Sequence, residues 1–150
     1  MKNTVMKERE TREFELKLKN RENLTKYRLQ AYERLALFLE RISPNSLVLR
    51  IPPTGKTVYQ YQRELLIMLR QELDHNVSQQ VYVSSELWGH IRLSKERMSM
   101  LISQSASELS PEMPAEALRN EIFENYSDLE DDQPIEMTLE VLKREVSRYF

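Results

Sequence analysis

The chain has 150 residues, which suits one domain with a single hydrophobic core. It contains two glycines, no cysteine and a net charge of −2 at pH 7. Because tight turns and phosphate-binding loops rely on glycine, this composition disfavours β-rich and nucleotide-binding folds. The lack of cysteine excludes disulfides, thiolate metal sites and a cysteine nucleophile. Abundant Leu, Glu, Lys and Arg favour helices, so we expect an all-α, single-domain protein.

The charges are unevenly distributed. Residues 1–34 carry ten Lys or Arg against six acidic residues, whereas residues 108–150 carry twelve acidic residues against four basic ones. Two such regions can attract each other within one chain or between two chains, or can simply be solvated helix faces of different sign. Acidic and basic residues alternate in residues 7–26 without a dense basic cluster, so we expect no nucleic-acid partner. No apolar run is long enough to span a membrane.

Residues 1–23 are predicted to be a charged N-terminal arm or a helix extension. Phe14, Leu16 and Leu18 alternate with charged residues, which is typical of a strand, but the composition favours a helix. Both a charged helix that continues into the next segment and a partly ordered arm remain open. Residues 24–150 are predicted to be the bundle domain.

Residues 24–42 are predicted to be the central helix. At about 100° per residue, two adjacent apolar stripes cover more than half of its circumference. A helix of this kind is buried by several neighbours. The first stripe contains Leu24, Tyr27, Ala31, Leu35, Phe38 and Ile42, and the second contains Leu29, Tyr32, Ala36 and Leu39.

Four further helices follow, giving a bundle of about five. Residues 47–51 form a short β-prone run that predicts an extended segment, and the next helix reaches about Asp74 from a Thr57–Gln60 capping box. Residues 75–84 predict an irregular linker with an extended portion. Ser84 or Ser85 is expected to cap the third helix, which runs to about Leu109. The fourth follows Pro114, and the fifth begins near Pro134 with an inward stripe of Ile135, Leu139, Leu142, Val146 and Tyr149.

Two motifs are similar to known binding sites. Residues 54–57, Thr-Gly-Lys-Thr, match the end of a phosphate-binding loop, but Arg50 replaces its first glycine and two prolines remove N–H donors. Glu72 and His75 have the spacing of di-iron helix ligands, but no second such motif accompanies them. We therefore expect no cofactor and no metal.

Two sets of residues are candidate functional sites. The first is an irregular segment rich in polar side chains. These side chains can line a ligand pocket, or they can form hydrogen bonds with the N–H and C=O groups of the segment's own backbone, and we favour the second interpretation. This set is His75, Asn76, Gln79, Gln80 and Tyr82. Apolar residues on the backs of helices can form a joined interface patch. This second set is Ile67, Leu93 and Met100.

Two strings also carry a family resemblance. The first is Leu-Gln-Ala-Tyr-Glu-Arg-Leu at 29–35 with Phe-Leu-Glu-Arg-Ile at 38–42, and the second is residues 75–84, followed by Trp88. From Leu29 onward the chain resembles a family of uncharacterised bacterial proteins typical of Bacteroidetes. The resemblance implies a family architecture of an N-terminal membrane helix, then a charged linker, then a helical domain that faces the cytoplasm. The resemblance implies no activity, and residues 1–23 match at most the charged linker.

These observations predict an uncharacterised, non-enzymatic protein–protein interaction or scaffold module that self-associates. The alternative is a small-ligand or sensory helical domain that uses residues 75–84, and an enzyme of unknown reaction comes third. We expect a cytoplasmic location, which by the family resemblance includes the cytoplasmic face of the inner membrane.

Overall fold

A computed structural model describes residues 2–150 and confirms the all-α prediction. Two short 3₁₀ helices, Val77–Val81 and Glu130–Asp132, lie in connections, and the described residues contain no β-strand. The six α-helices are α1 (Lys2–Arg41), α2 (Pro44–Arg50), α3 (Val58–Asp74), α4 (Ser85–Ser107), α5 (Ala115–Asp128) and α6 (Pro134–Tyr149). Helix α4 packs against α3, α5 and α6, and α1 packs against α6.

Helix α1 is a single helix of 40 residues that contains both the predicted arm and the predicted central helix. Met1 lies outside the described residues. The central-helix prediction holds from Ala31, because the bundle encloses α1 only from there onward. Leu24, Tyr27 and Leu29 belong to the predicted buried stripes but are 40–49 % exposed. The residues at most 2 % exposed are Ala31, Tyr32, Leu35, Phe38, Leu39 and Ile42.

The prediction of an extended segment at residues 47–51 is wrong, because Pro44–Arg50 form α2. Pro44 occupies the first turn, where its fixed φ favours a helix and its missing N–H costs nothing. Helical spacing buries Leu47 and Ile51 on one side and leaves Leu49 83 % exposed. A strand would instead have placed all three side chains on one face, so packing overrides the β-propensity of the run.

The helix starts are the best-predicted local features. Thr57 and Gln60 form the capping box, with N···O distances of 3.0 and 3.2 Å for the two reciprocal hydrogen bonds. The Ser84 hydroxyl accepts a hydrogen bond from the Leu87 N–H and caps α4. The expected extended portion of residues 75–84 is wrong, because Val77–Val81 form a 3₁₀ helix.

The face of α6 that packs against the core is slightly rotated from the predicted inward stripe. Ile135 and Leu142 are buried as predicted, but Tyr149 is 55 % exposed. The polar residues Thr138 and Glu145 are buried in its place because each has hydrogen-bond partners inside the bundle. Within residues 2–150, no helix combines the length and apolar character needed to cross a bilayer.

Candidate functional site

The most exposed part of the molecule is the first half of α1. Every residue from 3 to 27 is exposed, and at about 1.5 Å per residue this segment is roughly 37 Å long. Large apolar side chains lie on it, with Phe14 62 % and Leu18 42 % exposed, and Leu29 follows at 40 %. Isolated exposed apolar residues are common, whereas apolar residues that share one side of a helix with an apolar groove are a candidate contact surface.

An apolar groove lies where α1 enters the bundle. It runs between α1 and α6 and has a volume of about 620 Å³. Its walls are mostly aliphatic and aromatic, and Phe150 at its end is 55 % exposed. The lining residues are Ala36, Leu139, Leu142, Lys143, Val146, Ser147 and Phe150. The groove therefore offers apolar area to a side chain from outside the described bundle.

Contacts of α6 with α1 and α4 hold the groove walls in place. The Tyr32 hydroxyl donates a hydrogen bond to Glu145 at 2.9 Å, and the Tyr32 ring meets Phe150 edge-on with centroids 6.4 Å apart. Glu145 also accepts hydrogen bonds from the N–H and the hydroxyl of Ser84. Burial, followed by the bond to Glu145, raises the pKa of Tyr32 above its usual value. Arg28 stacks on Tyr149 with 4.5 Å between its guanidinium carbon and the ring centroid.

The three predicted interface residues are exposed but do not share a groove. Ile67 is 46 %, Leu93 52 % and Met100 57 % exposed. Met100 lines two shallow grooves, one beside Leu66 and Arg70 of α3 and one beside Leu129 and Pro134. Neither groove includes Ile67 or Leu93. This interface remains a prediction.

The predicted polar cluster is arranged around its own backbone. Asn76 donates to the Glu72 carbonyl at 2.8 Å, and Gln80 donates to the Val77 carbonyl at 3.0 Å. Gln79 is 9 % exposed and donates to the Ser78 hydroxyl at 3.3 Å.

The ends of this segment contact α1. The His75 carbonyl accepts a hydrogen bond from Arg34 at 3.3 Å, and the Tyr82 ring lies 5.8 Å from the Tyr27 ring. These contacts attach the segment to α1, and whether it also binds a ligand remains a prediction.

Glu72 forms a compact ion-pair cluster with two arginines. It accepts hydrogen bonds from Nε and Nη2 of Arg41 and, at 2.9 Å, from Nη1 of Arg50. The bond from Arg41, followed by the one from Arg50, lowers the pKa of Glu72 against the opposing effect of burial. Its carboxylate thus joins α1, α2 and α3. Among residues 2–150, no three His, Cys, Asp or Glu side chains are grouped so that they could hold a metal ion.

The loop that resembles a phosphate-binding loop docks on the segment before α5. Near the start of α3, the N–H of Val58 donates to the Met113 carbonyl at 2.8 Å, and that of Tyr59 donates to the Pro111 carbonyl at 3.2 Å. The Lys56 amine pairs with Glu64 at 2.7 Å. These donors are therefore already engaged within the protein.

The apolar row of α1 and the groove are not among the sequence predictions. Alternation in residues 1–23 and the stripes of residues 24–42 each show only part of the row, because the row crosses from one segment into the other. One projection through both segments places Phe14, Leu18, Leu29 and Ala36 on a common side.

Residues 1–149 match the protein family described as Family of unknown function (DUF7935). No curated protein and no solved structure matches the chain. The match confirms the expectation of an uncharacterised domain, and its description assigns neither an activity nor a ligand.

Proposed function

The chain belongs to DUF7935, a family of unknown function, and we propose that it is a non-enzymatic protein–protein interaction module that self-associates. The contact surface consists of the exposed half of α1 and the adjacent α1–α6 groove. One observation carries the proposal: Phe14, Leu18 and Leu29 are 40–62 % exposed on the side of α1 that continues into this apolar groove. The proposal includes the cytoplasmic location expected from the sequence.

The physical reason is the free energy of burying apolar surface. Each square ångström of apolar area removed from water contributes about 25 cal/mol, so several large side chains on one row favour association. Two copies would also bring the net basic α1 segment of one chain within range of acidic residues on the other. Self-association requires no second protein, because both parts of the surface are on one chain.

Light scattering tests this proposal on the full chain and on a chain that lacks residues 1–23. We expect a dimer for the full chain and a monomer for the shortened one, with similar thermal unfolding because the removed residues do not contribute to the core. A monomeric full chain at concentrations up to the millimolar range would refute self-association.

A control variant distinguishes this surface from the predicted α4 interface. Leu93→Lys places a charge on the back of α4, where Leu93 is 52 % exposed. We expect it to leave the dimer intact. If Leu93→Lys gives a monomer while the shortened chain remains a dimer, the interface lies on α4 and the surface proposed above is wrong.

A further inference from the structure

The exposed side of α1 carries three parallel rows of side chains. At about 100° per residue, the apolar row falls within an arc of roughly 60°. An acidic row lies on one side of it and a basic row on the other. The apolar row is Phe14, Leu18, Leu29 and Ala36, the acidic row is Glu15, Glu22, Glu33 and Glu40, and the basic row is Lys17, Arg21 and Arg28.

These rows follow an eleven-residue repeat. Phe14 recurs as Ala36 two repeats later, with Thr25 between them, and Leu18 recurs as Leu29. Eleven residues make three turns of an α-helix with little angular drift, so the rows run almost straight along α1. The flanking charges repeat with the same period, because Lys17 is followed by Arg28 and Glu22 by Glu33.

Within the described part of the chain, no ion pair engages the charges of these rows, and Arg28 stacks on the Tyr149 ring. The ion pairs among residues 3–150 connect other side chains, and Glu15, Glu22, Glu33 and Glu40 are all exposed. The apolar row reaches the α1–α6 groove at Ala36, which is one of the residues that line the groove. The rows therefore follow one side of α1 from Phe14 to the groove, with a different net charge on each side.

We propose that this surface binds a second copy of the chain, with the two α1 helices parallel and their apolar rows in contact. This inference rests on the self-association proposed above and names its geometry. A two-fold axis parallel to the helices brings the acidic row of each copy against the basic row of the other. In a parallel pair of helices, a charged side chain on the flank of one helix contacts the residue that is about five positions further along the partner helix. Lys17 then meets the partner's Glu22, and Arg28 meets the partner's Glu33.

The net charges of the two sides favour the parallel orientation over the antiparallel one. An antiparallel pair has its two-fold axis perpendicular to the helices, which brings acidic row against acidic row and basic row against basic row. Like charges at such positions are destabilising. Two residues depart from the pattern: Glu10 lies on the basic side and would face the partner's Glu15, and Lys26 lies beside the acidic row and would face the partner's Arg21. We therefore expect Glu10→Lys to tighten the dimer.

Charge reversal in the full chain tests the row pairing. Lys17→Glu turns two attractive contacts per dimer into repulsive ones, and we expect the dissociation constant to rise roughly tenfold at low salt. Glu22→Lys should have a similar effect. The double variant Lys17→Glu/Glu22→Lys restores both contacts with exchanged signs, so its dissociation constant should return to within about threefold of the original.

Cysteine cross-linking tests the orientation, because the chain has no cysteine of its own. In a parallel pair Leu18 lies opposite the partner's Leu18, so Leu18→Cys should form a disulfide-linked dimer under mild oxidation. Asn20→Cys is the matched control, because residue 20 lies on the opposite side of α1 and should not cross-link. Circular dichroism confirms that both variants keep their helix content.

The outcomes separate this inference from the proposed function. If the full chain is a dimer but Leu18→Cys does not cross-link, or if the double charge variant does not recover, the parallel pairing is refuted and self-association stands. If the full chain is a monomer, both fail. Cross-linking of Leu18→Cys together with recovery of the double variant supports both.

Discussion

Replacing Glu72 with glutamine tests whether one carboxylate holds α1, α2 and α3 together. Glu72 is 5 % exposed, and its two oxygens accept hydrogen bonds from Arg41 at 2.5–3.0 Å and from Arg50 at 2.9 Å. Glu72→Gln keeps the shape of the side chain and one acceptor oxygen but removes the charge. Two guanidinium groups then lie next to a neutral amide.

The expected loss follows from removing the carboxylate charge while both guanidinium groups stay charged. Each arginine keeps at most a hydrogen bond to the amide oxygen and loses its attraction to the carboxylate, which costs roughly 1 kcal/mol per arginine. The Arg41 side chain is 41 % exposed, and solvent screens part of its interaction, so we expect a total of about 2 kcal/mol. For a domain of this size, that lowers Tm by about 4–8 °C.

The pH dependence gives an independent test of the same interaction. Because Arg41 and Arg50 lower the pKa of Glu72 below its ordinary 4.5, the carboxylate stabilises the fold above that pH. Its contribution is lost as the pH falls through the lowered, folded-state pKa. The difference in Tm between the original chain and Glu72→Gln should therefore be constant from pH 6 to 8 and shrink below about pH 4.5.

Thermal unfolding followed by circular dichroism measures both effects. Glu64→Gln is the matched control on the same helix, because Glu64 pairs with Lys56 at the surface and its side chain is 46 % exposed. We expect this control to change the free energy of unfolding by less than about 0.5 kcal/mol. If Glu72→Gln unfolds at the same temperature as the control at pH 7, the cluster is not a major source of stability and the reasoning is wrong.

Two further variants probe the core and a helix cap. The Tyr61 hydroxyl donates to the Ile51 carbonyl at 2.7 Å, so Tyr61→Phe should cost about 1–2 kcal/mol at pH 7 in chemical unfolding. Burial raises the pKa of Tyr61 from 10.0 to about 12, so the original chain should lose this advantage between pH 10 and 12, and an unchanged difference there would contradict the assignment. Thr57→Ala removes half of the capping box and should cost about 1 kcal/mol, whereas Thr54→Ala in the preceding loop should cost little.

The sequence predicts helices and caps well where the determinants are local. Thr57 and Gln60 have the spacing that a capping box requires, and Ser84 precedes a helical pattern, so both starts are readable without any tertiary contact. The stripes from Ala31 to Ile42 also predict burial correctly, because a two-sided apolar helix can only be accommodated inside a bundle.

Prediction fails where tertiary packing determines the outcome. Residues 47–51 have high β-propensity. They nevertheless lie in and directly after α2, because a helix buries Leu47 and Ile51 together on one side. The apolar positions Leu24 and Leu29 resemble buried ones, but they are exposed because none of the other described helices covers them. Helical periodicity predicts which side of a helix is apolar, but it does not predict whether another element covers that side.

The charges of α1 explain why its first half is helical, and they do not explain its apolar row. Glu8 and Arg12, Glu13 and Lys17, Glu15 and Lys19, and Glu22 and Lys26 are all spaced i, i+4 with the acid first. Each such pair stabilises an isolated helix by about 0.2–0.5 kcal/mol. The helix can therefore persist without a partner, and its helicity alone is no argument for association.

Phe14, Leu18 and Leu29 have no such role. A helix held only by its charge pairs would be at least as stable, and more soluble, with polar residues at these three positions. Their placement on one side, between an acidic row and a basic row and in line with an apolar groove, is what a second copy would require. The case for self-association therefore rests on these three side chains, and it is their replacement by lysine that should separate a folded dimer into folded monomers.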